Sequence, residues 1–230
     1  MSGLASRALR VGGAVSLVLV PATMGACAYL QIPAAAALTL LSAVLALVLF
    51  FASYEASRPA LRQIMPAATL AAVAAAGRIV FAPVPNVQPV SAIVIVAGAS
   101  LGRRDGFMVG ALAALASNLF FGQGEWTPWQ MYAWGLMGYV AGMLADAGVL
   151  RRRWAILTFG FVASLGYALL LNGFYVLGYV KPLTWQGALG AIALAAPYDL
   201  MHAASTVVFL ALIWLPWGRS IRRVVRKYAL

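Results

Sequence analysis

Apolar residues form long runs along this chain, and short polar segments separate them. A helix needs about 20 mostly apolar residues to cross a bilayer, and eight runs approach that length. The fourth run is short, and its start lies among Pro83, Pro85 and Pro89. The pattern predicts an all-α fold, a polytopic bundle of transmembrane helices. The runs cover residues 11–30, 34–54, 63–82, 89–102, 106–122, 129–150, 154–180 and 187–217.

Composition excludes a soluble globular domain, because 64% of the residues are hydrophobic and only 9% are charged. The formal net charge of +11 is of the kind that nucleic-acid-binding proteins carry. Here, however, the arginines stand in short clusters between apolar runs, as in membrane proteins. We therefore expect the lipid bilayer, and no nucleic acid, as the partner of this surface.

The positive charges predict the orientation of the bundle. Fourteen of the 16 basic residues fall in alternate connecting segments, which leaves only Arg78 and Lys181 for the opposite face. Cytoplasmic segments of membrane proteins are enriched in Lys and Arg, so both termini are expected in the cytoplasm of a bacterial cell. A count of seven spans would break this partition. The basic segments are 1–10, 55–62, 103–105, 151–153 and 218–230.

The chain divides into three predicted regions. They are an N-terminal transmembrane helix pair, a six-helix membrane core and a basic cytoplasmic tail, at residues 1–58, 59–218 and 219–230. The first run also resembles a signal peptide that ends near Cys27. Its length, and the second span that follows at once, favour a retained helix.

Motifs for catalysis are missing from the sequence. No glycine-rich loop followed by Lys and Ser or Thr is present to hold ATP phosphates. One His and one Cys cannot supply a metal cluster. We expect no catalytic residue, no metal site and no bound cofactor, so uphill transport would need an ion gradient or a partner ATPase.

Small residues repeat along the third run. Ala68, Ala72 and Ala76 recur every four residues and therefore lie along one side of a helix. Small side chains allow another helix to approach closely. This stripe is either an internal packing face or a contact surface for a partner protein.

A proline-rich segment at residues 81–89 follows the third run. Its prolines exclude a continuous helix, and Asn86 and Gln88 bring amide donors and acceptors to the outer membrane surface. Arg78 lies about one turn inside that surface. These residues could bind a ligand, or the loop could be a rigid connector and Arg78 could extend to the water.

Aromatic and amide side chains alternate at the outer end between the fifth and sixth runs. Aromatic faces with converging amides suit a pocket for a polar ligand that contains a ring. Tryptophans at a membrane interface are also common without any ligand. We favour a binding site here, formed by Asn118, Gln123, Trp126, Trp129 and Gln130.

Two ionisable residues lie within the last run. A charged group at that depth is costly and indicates a function, and the spacing of Asp199 and His202 would let them pair along one helix face. They could form part of the binding site or a proton relay. A structural pair, with Asn172 as a further partner, is the alternative.

The alanine stripe, Gly77-Arg78 and the segments 81–90 and 122–131 together resemble the substrate-binding S components of energy-coupling factor (ECF) vitamin transporters. The resemblance covers about residues 60–217, and these runs supply the six spans of that family. The helix pair at residues 1–58 is additional to it.

The resemblance implies a non-catalytic subunit of an ABC importer that captures a vitamin-like solute outside the cell. A transmembrane T component and two ATPase subunits would complete the transporter. By the same resemblance, Ala68, Ala72 and Ala76 contact the T component, and residues 83–89 cover the ligand. Members with a similar tryptophan-rich segment are linked to cobalamin or to queuosine-type deazapurines. Long apolar helices, tryptophans and neutral amides suit a bulky corrin rimmed by amide groups, which favours cobalamin.

Two other functions are compatible with the sequence. A proton-coupled secondary transporter would use Asp199 and His202 and would work without partners. A membrane scaffold would bind no small molecule.

Overall fold

The computed structural model describes residues 3–228, without the side chains of 3–14, 16, 226 and 228. The side chains of Arg7, Arg10 and Arg226, which are part of the predicted cytoplasmic charge, lie outside this set. The described chain forms α1 (Gly3–Tyr29), α2 (Ala35–Ala56), α3 (Leu61–Val80), α4 (Val90–Leu101), α5 (Arg103–Phe121), α6 (Trp126–Asp146), a 3-10 turn at Val149–Arg151, α7 (Arg153–Tyr179) and α8 (Trp185–Tyr228).

The all-α membrane bundle is confirmed, with one helix for each of the eight apolar runs. Within the described residues, α2, α3, α7 and α8 are long and apolar enough to cross a membrane, and Leu17–Tyr29 in α1 is a shorter apolar stretch. Helices α5 and α6 contain 19 and 21 residues but carry more polar side chains. The chain is a multi-pass membrane protein.

Helix α4 is as short as the fourth apolar run, residues 89–102, which was counted as one of the eight spans. It has 12 residues, so it is about 18 Å long, well short of the roughly 30 Å hydrocarbon core. All residues from Val90 to Gly98 are buried, because α4 packs against α3, α5, α6 and α8. A short helix is tolerated at this depth since protein, not lipid, surrounds its ends.

Glycines hold α4, α5 and α6 together in their inner halves. A Cβ atom added at Gly98 would meet the backbone of Gly138, and one at Gly142 would meet the backbone of Arg103. Gly106 lies between the same segments, against both Gly98 and Gly138. The three backbones therefore touch without intervening side chains, as in other tightly packed membrane helices.

Helix α3 has two alanine faces. Ala67, Ala71, Ala74 and Ala75 are buried against the bundle, whereas the stripe Ala68, Ala72 and Ala76 is exposed. The stripe therefore does not pack inside this chain, and its role as a contact surface for a partner protein stays a prediction.

The N-terminal pair α1–α2 packs closely on the core. The ring of Phe50 in α2 stacks on Phe107 in α5 at 3.7 Å between centroids. The Tyr54 hydroxyl donates to Asp105 Oδ1 at 2.7 Å, and the Tyr132 hydroxyl donates to the Leu17 carbonyl. The predicted region boundary near residue 58 stays a prediction, but the pair shares one apolar core with α5, α6 and α7.

Helix α8 is the longest element, with 44 residues and a length of about 66 Å. This is about twice the hydrocarbon thickness, so the helix continues beyond the membrane. The predicted basic tail is thus a helical extension that carries exposed Arg219, Arg222 and Arg223.

Candidate functional site

The loop between α3 and α4 is attached to α8 by its asparagine. Asn86 has a left-handed φ of 56°, a conformation that asparagine tolerates better than most residues. Its Nδ2 donates to the Tyr198 carbonyl at 3.0 Å, and its own carbonyl accepts from Ser205 Oγ at 3.3 Å. These two bonds hold the loop over the outer end of the bundle.

Arg78 lies at the centre of the site, at the outer end of α3. Its Nη1 donates to Ser117 Oγ and to Asn118 Oδ1, both at 2.7 Å. Its guanidinium carbon lies 4.6 Å from the ring centroid of Phe121 and 5.1 Å from that of Trp134. Within residues 3–228 it has no carboxylate partner, so its charge is balanced only by neutral dipoles and ring faces.

Asn118 extends the polar network from α5 to α6. It is fully buried, and its Nδ2 donates to Thr127 Oγ1 at 3.0 Å and to Gln130 Oε1 at 2.8 Å. All polar atoms of this amide therefore have partners, which fixes its orientation.

His202 anchors the other side of the network and is 3% exposed. Its Nδ1 lies 3.2 Å from Gln88 Nε2, and its Nε2 lies 2.8 Å from Ser91 Oγ. The Trp134 indole also donates to Ser91 Oγ, at 2.9 Å. The Gln88 amide is a donor, so the bonds fit a neutral imidazole that is protonated on Nε2.

Three rings stack behind these polar groups. The ring of Tyr167 lies between Trp134 and His202, with centroid distances of 4.6 and 5.4 Å and interplanar angles of 28° and 11°. The stack holds the imidazole and the indole in place. The network and the rings thus form a preformed polar wall in the outer half of the bundle.

A cavity of about 140 Å³ lies between this wall and the loop. It brings together three of the residues that the sequence predicted for binding, and Phe81 and Phe121 add ring faces to it. The lining residues are Arg78, Phe81, Ala82, Val84, Asn86, Val87, Gln88 and Phe121.

The tryptophan-rich segment is placed differently from the expectation. Trp129 is fully buried and stacks on Phe174 at 5.6 Å, so it faces the protein core and not the cavity. Trp126 is 42% exposed and lies over Gly124. Gln123 is exposed and donates to the Leu115 carbonyl at 3.1 Å. None of the three lines the cavity. Trp126 and Trp129 lie on parts of α6 that face away from it, and Gln123 lies in the loop before α6.

Asp199 and His202 do not pair with each other, contrary to the expected contact along α8. Asp199 Oδ2 accepts from Asn172 Nδ2 at 2.8 Å, which is the further partner that the structural alternative named, but the structural pair with His202 is not formed. His202 is bonded to Gln88 and Ser91 instead. The two residues belong to different contacts, and in the described residues no direct hydrogen bond joins them into a relay.

Several residues of the site were missed by the sequence interpretation. Ser91, Ser117, Trp134 and Tyr167 are polar or aromatic residues inside apolar runs, and each has a hydrogen bond or ring contact within the network. A polar side chain inside a membrane segment is costly unless it has a partner. That cost is the signal in the sequence by which these residues could have been identified.

A family model described as "ECF-type riboflavin transporter, S component" matches residues 60–216 of the chain. No curated protein matches the chain, and no solved structure matches the chain either. The matched segment begins just before α3 and ends within α8, so it contains the polar wall, the cavity and the loop, and leaves out α1 and α2. S components bind the transported substrate and associate with a T component and ATPases, and this chain belongs to the S-component family of ECF transporters.

Proposed function

We propose that this chain captures a planar, nitrogen-containing ring compound under the loop between α3 and α4, with riboflavin as the first ligand to test. The description of the matching family names riboflavin. Cobalamin, which the sequence favoured, stays a prediction, and so does a queuosine-type deazapurine.

The position of Arg78 in the cavity, with hydrogen-bond donors left over, is the observation that carries this proposal. Arg78 lines the cavity, and its Nη1 alone makes its side-chain hydrogen bonds within the described residues. A guanidinium has five N–H donors, so further donors remain for a ligand. Ring carbonyls of a flavin or a deazapurine are suitable acceptors, and the neighbouring Phe121 offers a ring face for stacking.

Size also favours a planar ring over a corrin. The cavity of about 140 Å³ is below the roughly 300–1,000 Å³ that is usual for small-molecule sites. Any ligand therefore requires the loop to lift, and its attachment through Asn86 to α8 is the contact that must open. A flat ring system needs a smaller opening than cobalamin, which is several times larger.

The exposed alanine stripe supports docking to the T component. Ala68, Ala72 and Ala76 leave a flat surface on α3 that another helix could approach closely. This exposed face of α3 points away from the polar wall, so a partner could bind it while the ligand is bound. We expect ATP hydrolysis to be supplied by the partner ATPases.

Mass spectrometry of the purified protein from rich medium tests the ligand. We expect a flavin or a related planar ring compound to co-purify, and added riboflavin to lose fluorescence on binding. A corrin in the purified protein would favour cobalamin instead. Absence of any bound or titratable ring compound would contradict the proposal.

A substitution on the stripe tests the docking surface. Ala72→Trp should leave riboflavin binding unchanged and lower ATP-dependent uptake by the assembled transporter at least tenfold, because the bulky ring holds the partner helix away. Val162→Trp, on an exposed position of α7, is the matched control. Equal uptake by the two variants would show that docking occurs elsewhere.

A further inference from the structure

An apolar groove of about 390 Å³ lies between α1, α7 and the beginning of α8. Met24 of α1, Leu169 of α7 and Ile192 of α8 contribute apolar walls. The groove is in the outer half of the bundle, because the ends of α1 and α7 and the start of α8 all lie on that side. It is separate from the cavity under the loop and shares no lining residue with it.

Apolar side chains line the groove over most of its length, from Pro21 and Met24 on α1 to Leu169 on α7 and Ile192 on α8. A hydrocarbon chain matches such a lining, because it has no polar group that would be left without a hydrogen-bond partner.

Polar groups occur at one end of the groove only. Gln31, Thr184 and Trp185 line its outer end, where α1 ends and α8 begins. Lys181 lies at the same end, since its Nζ donates at 3.3 Å to the carbonyl of Leu177, which lines the groove. Of the two basic residues assigned to the outer face, Arg78 is held in the polar wall, so Lys181 is the cation available here.

We propose that the groove binds one acyl chain of an anionic phospholipid in the outer leaflet, with the lipid phosphate beside Lys181. Hydrocarbon next to apolar walls and phosphate next to an ammonium group match the polarity along the groove. Helix α1 lies outside the family-matched segment, so one wall of this lipid site comes from the additional helix pair and the other walls come from α7 and α8. The bound chain fills the space where α1 diverges from α7.

Gly25 allows the groove to be filled by substitution. A Cβ atom there would have no neighbour within 4 Å, and Gly25 lines the groove, so Gly25→Leu should occupy it without a clash. Gly190 is equally open but does not line the groove. Gly190→Leu is therefore a control at a similar depth.

Native mass spectrometry of the full-length protein in mild detergent, with added phosphatidylglycerol, tests the site. The original chain and Gly190→Leu should retain one lipid molecule under conditions in which retention by Gly25→Leu is at least tenfold lower. Equal retention by all three proteins would overturn the proposal, and so would equal loss in both leucine variants. No transported solute enters this measurement, so its outcome is independent of the proposed substrate.

Lys181→Gln is a second variant, in the segment that connects α7 to α8. The preference of the protein for phosphatidylglycerol over phosphatidylcholine should fall about fivefold, which corresponds to the roughly 1 kcal/mol that one basic residue contributes near an anionic headgroup. An unchanged preference would overturn the assignment of the phosphate to Lys181.

Discussion

The outer and inner halves of the bundle are packed by different means. In the inner half, glycines bring the backbones of α4, α5 and α6 into contact, as Gly98 and Gly138 do. In the outer half, side chains such as Arg78, Asn118 and His202 separate the helices and form a hydrogen-bonded wall. The touching backbones of α4, α5 and α6 leave no room for a solute between them, so this contact is a rigid base. The proposed binding cavity lies in the outer half.

The largest effect is expected where the inner base is disturbed. Gly138→Leu would place a side chain against the backbone carbonyl of Gly106, and the same side chain would also press against Val94. Because backbone atoms cannot rotate away, we expect a loss of about 3 kcal/mol or more in stability. Thermal unfolding in detergent measures it.

Gly166→Leu is the matched control, since a Cβ atom at Gly166 has no neighbour within 4 Å. It should unfold at nearly the same temperature as the original protein. If Gly138→Leu were as stable as this control, the inner half would not be the rigid base that the packing indicates.

Substitution of Arg78 should affect the outer half selectively. Arg78→Gln removes a charged donor, and hydrogen bonds to charged groups contribute about 1.5–3 kcal/mol, so riboflavin binding should weaken by roughly 10- to 150-fold. Fluorescence titration measures the Kd. Arg62→Gln, at the exposed inner end of α3, should bind as the original chain does, and a similar loss in both variants would contradict a role for Arg78 in binding.

The smallest effect is expected for Asp199→Asn. Asp199 is bonded to Asn172 and lies outside the cavity, and the amide keeps an oxygen acceptor for that bond. We expect less than a threefold change in riboflavin affinity by titration. A proton-coupled transporter would require the carboxylate, so abolished transport in this variant would favour that alternative.

The fold was largely predictable because hydrophobicity determines it. Apolar runs and arginine clusters predicted eight helices, and the structure contains eight within residues 3–228. The short length of α4 was predicted by the run at residues 89–102, but its burial was not, because a continuous apolar run does not reveal whether protein or lipid surrounds it. Pro89 marked its start, and Gly102, with φ of 102°, ends it.

The site was only partly predictable, because sequence spacing does not tell which side a helix turns inward. The structure brings Arg78, Asn86 and Gln88 together in one cavity, and their part in binding stays a prediction. Trp129 was predicted to face a ligand but packs on Phe174, and Ser91 was missed although it joins His202 to Trp134. Contacts of this kind link residues more than 40 positions apart and depend on the tertiary packing.

Solute accumulation by reconstituted vesicles tests the central claim most directly. The purified chain is inserted alone, riboflavin is added outside, and a proton gradient is imposed. Saturable binding with no accumulation above the outside concentration is the predicted result, because the energy source resides on partner subunits. Uphill accumulation by this chain alone would contradict the account.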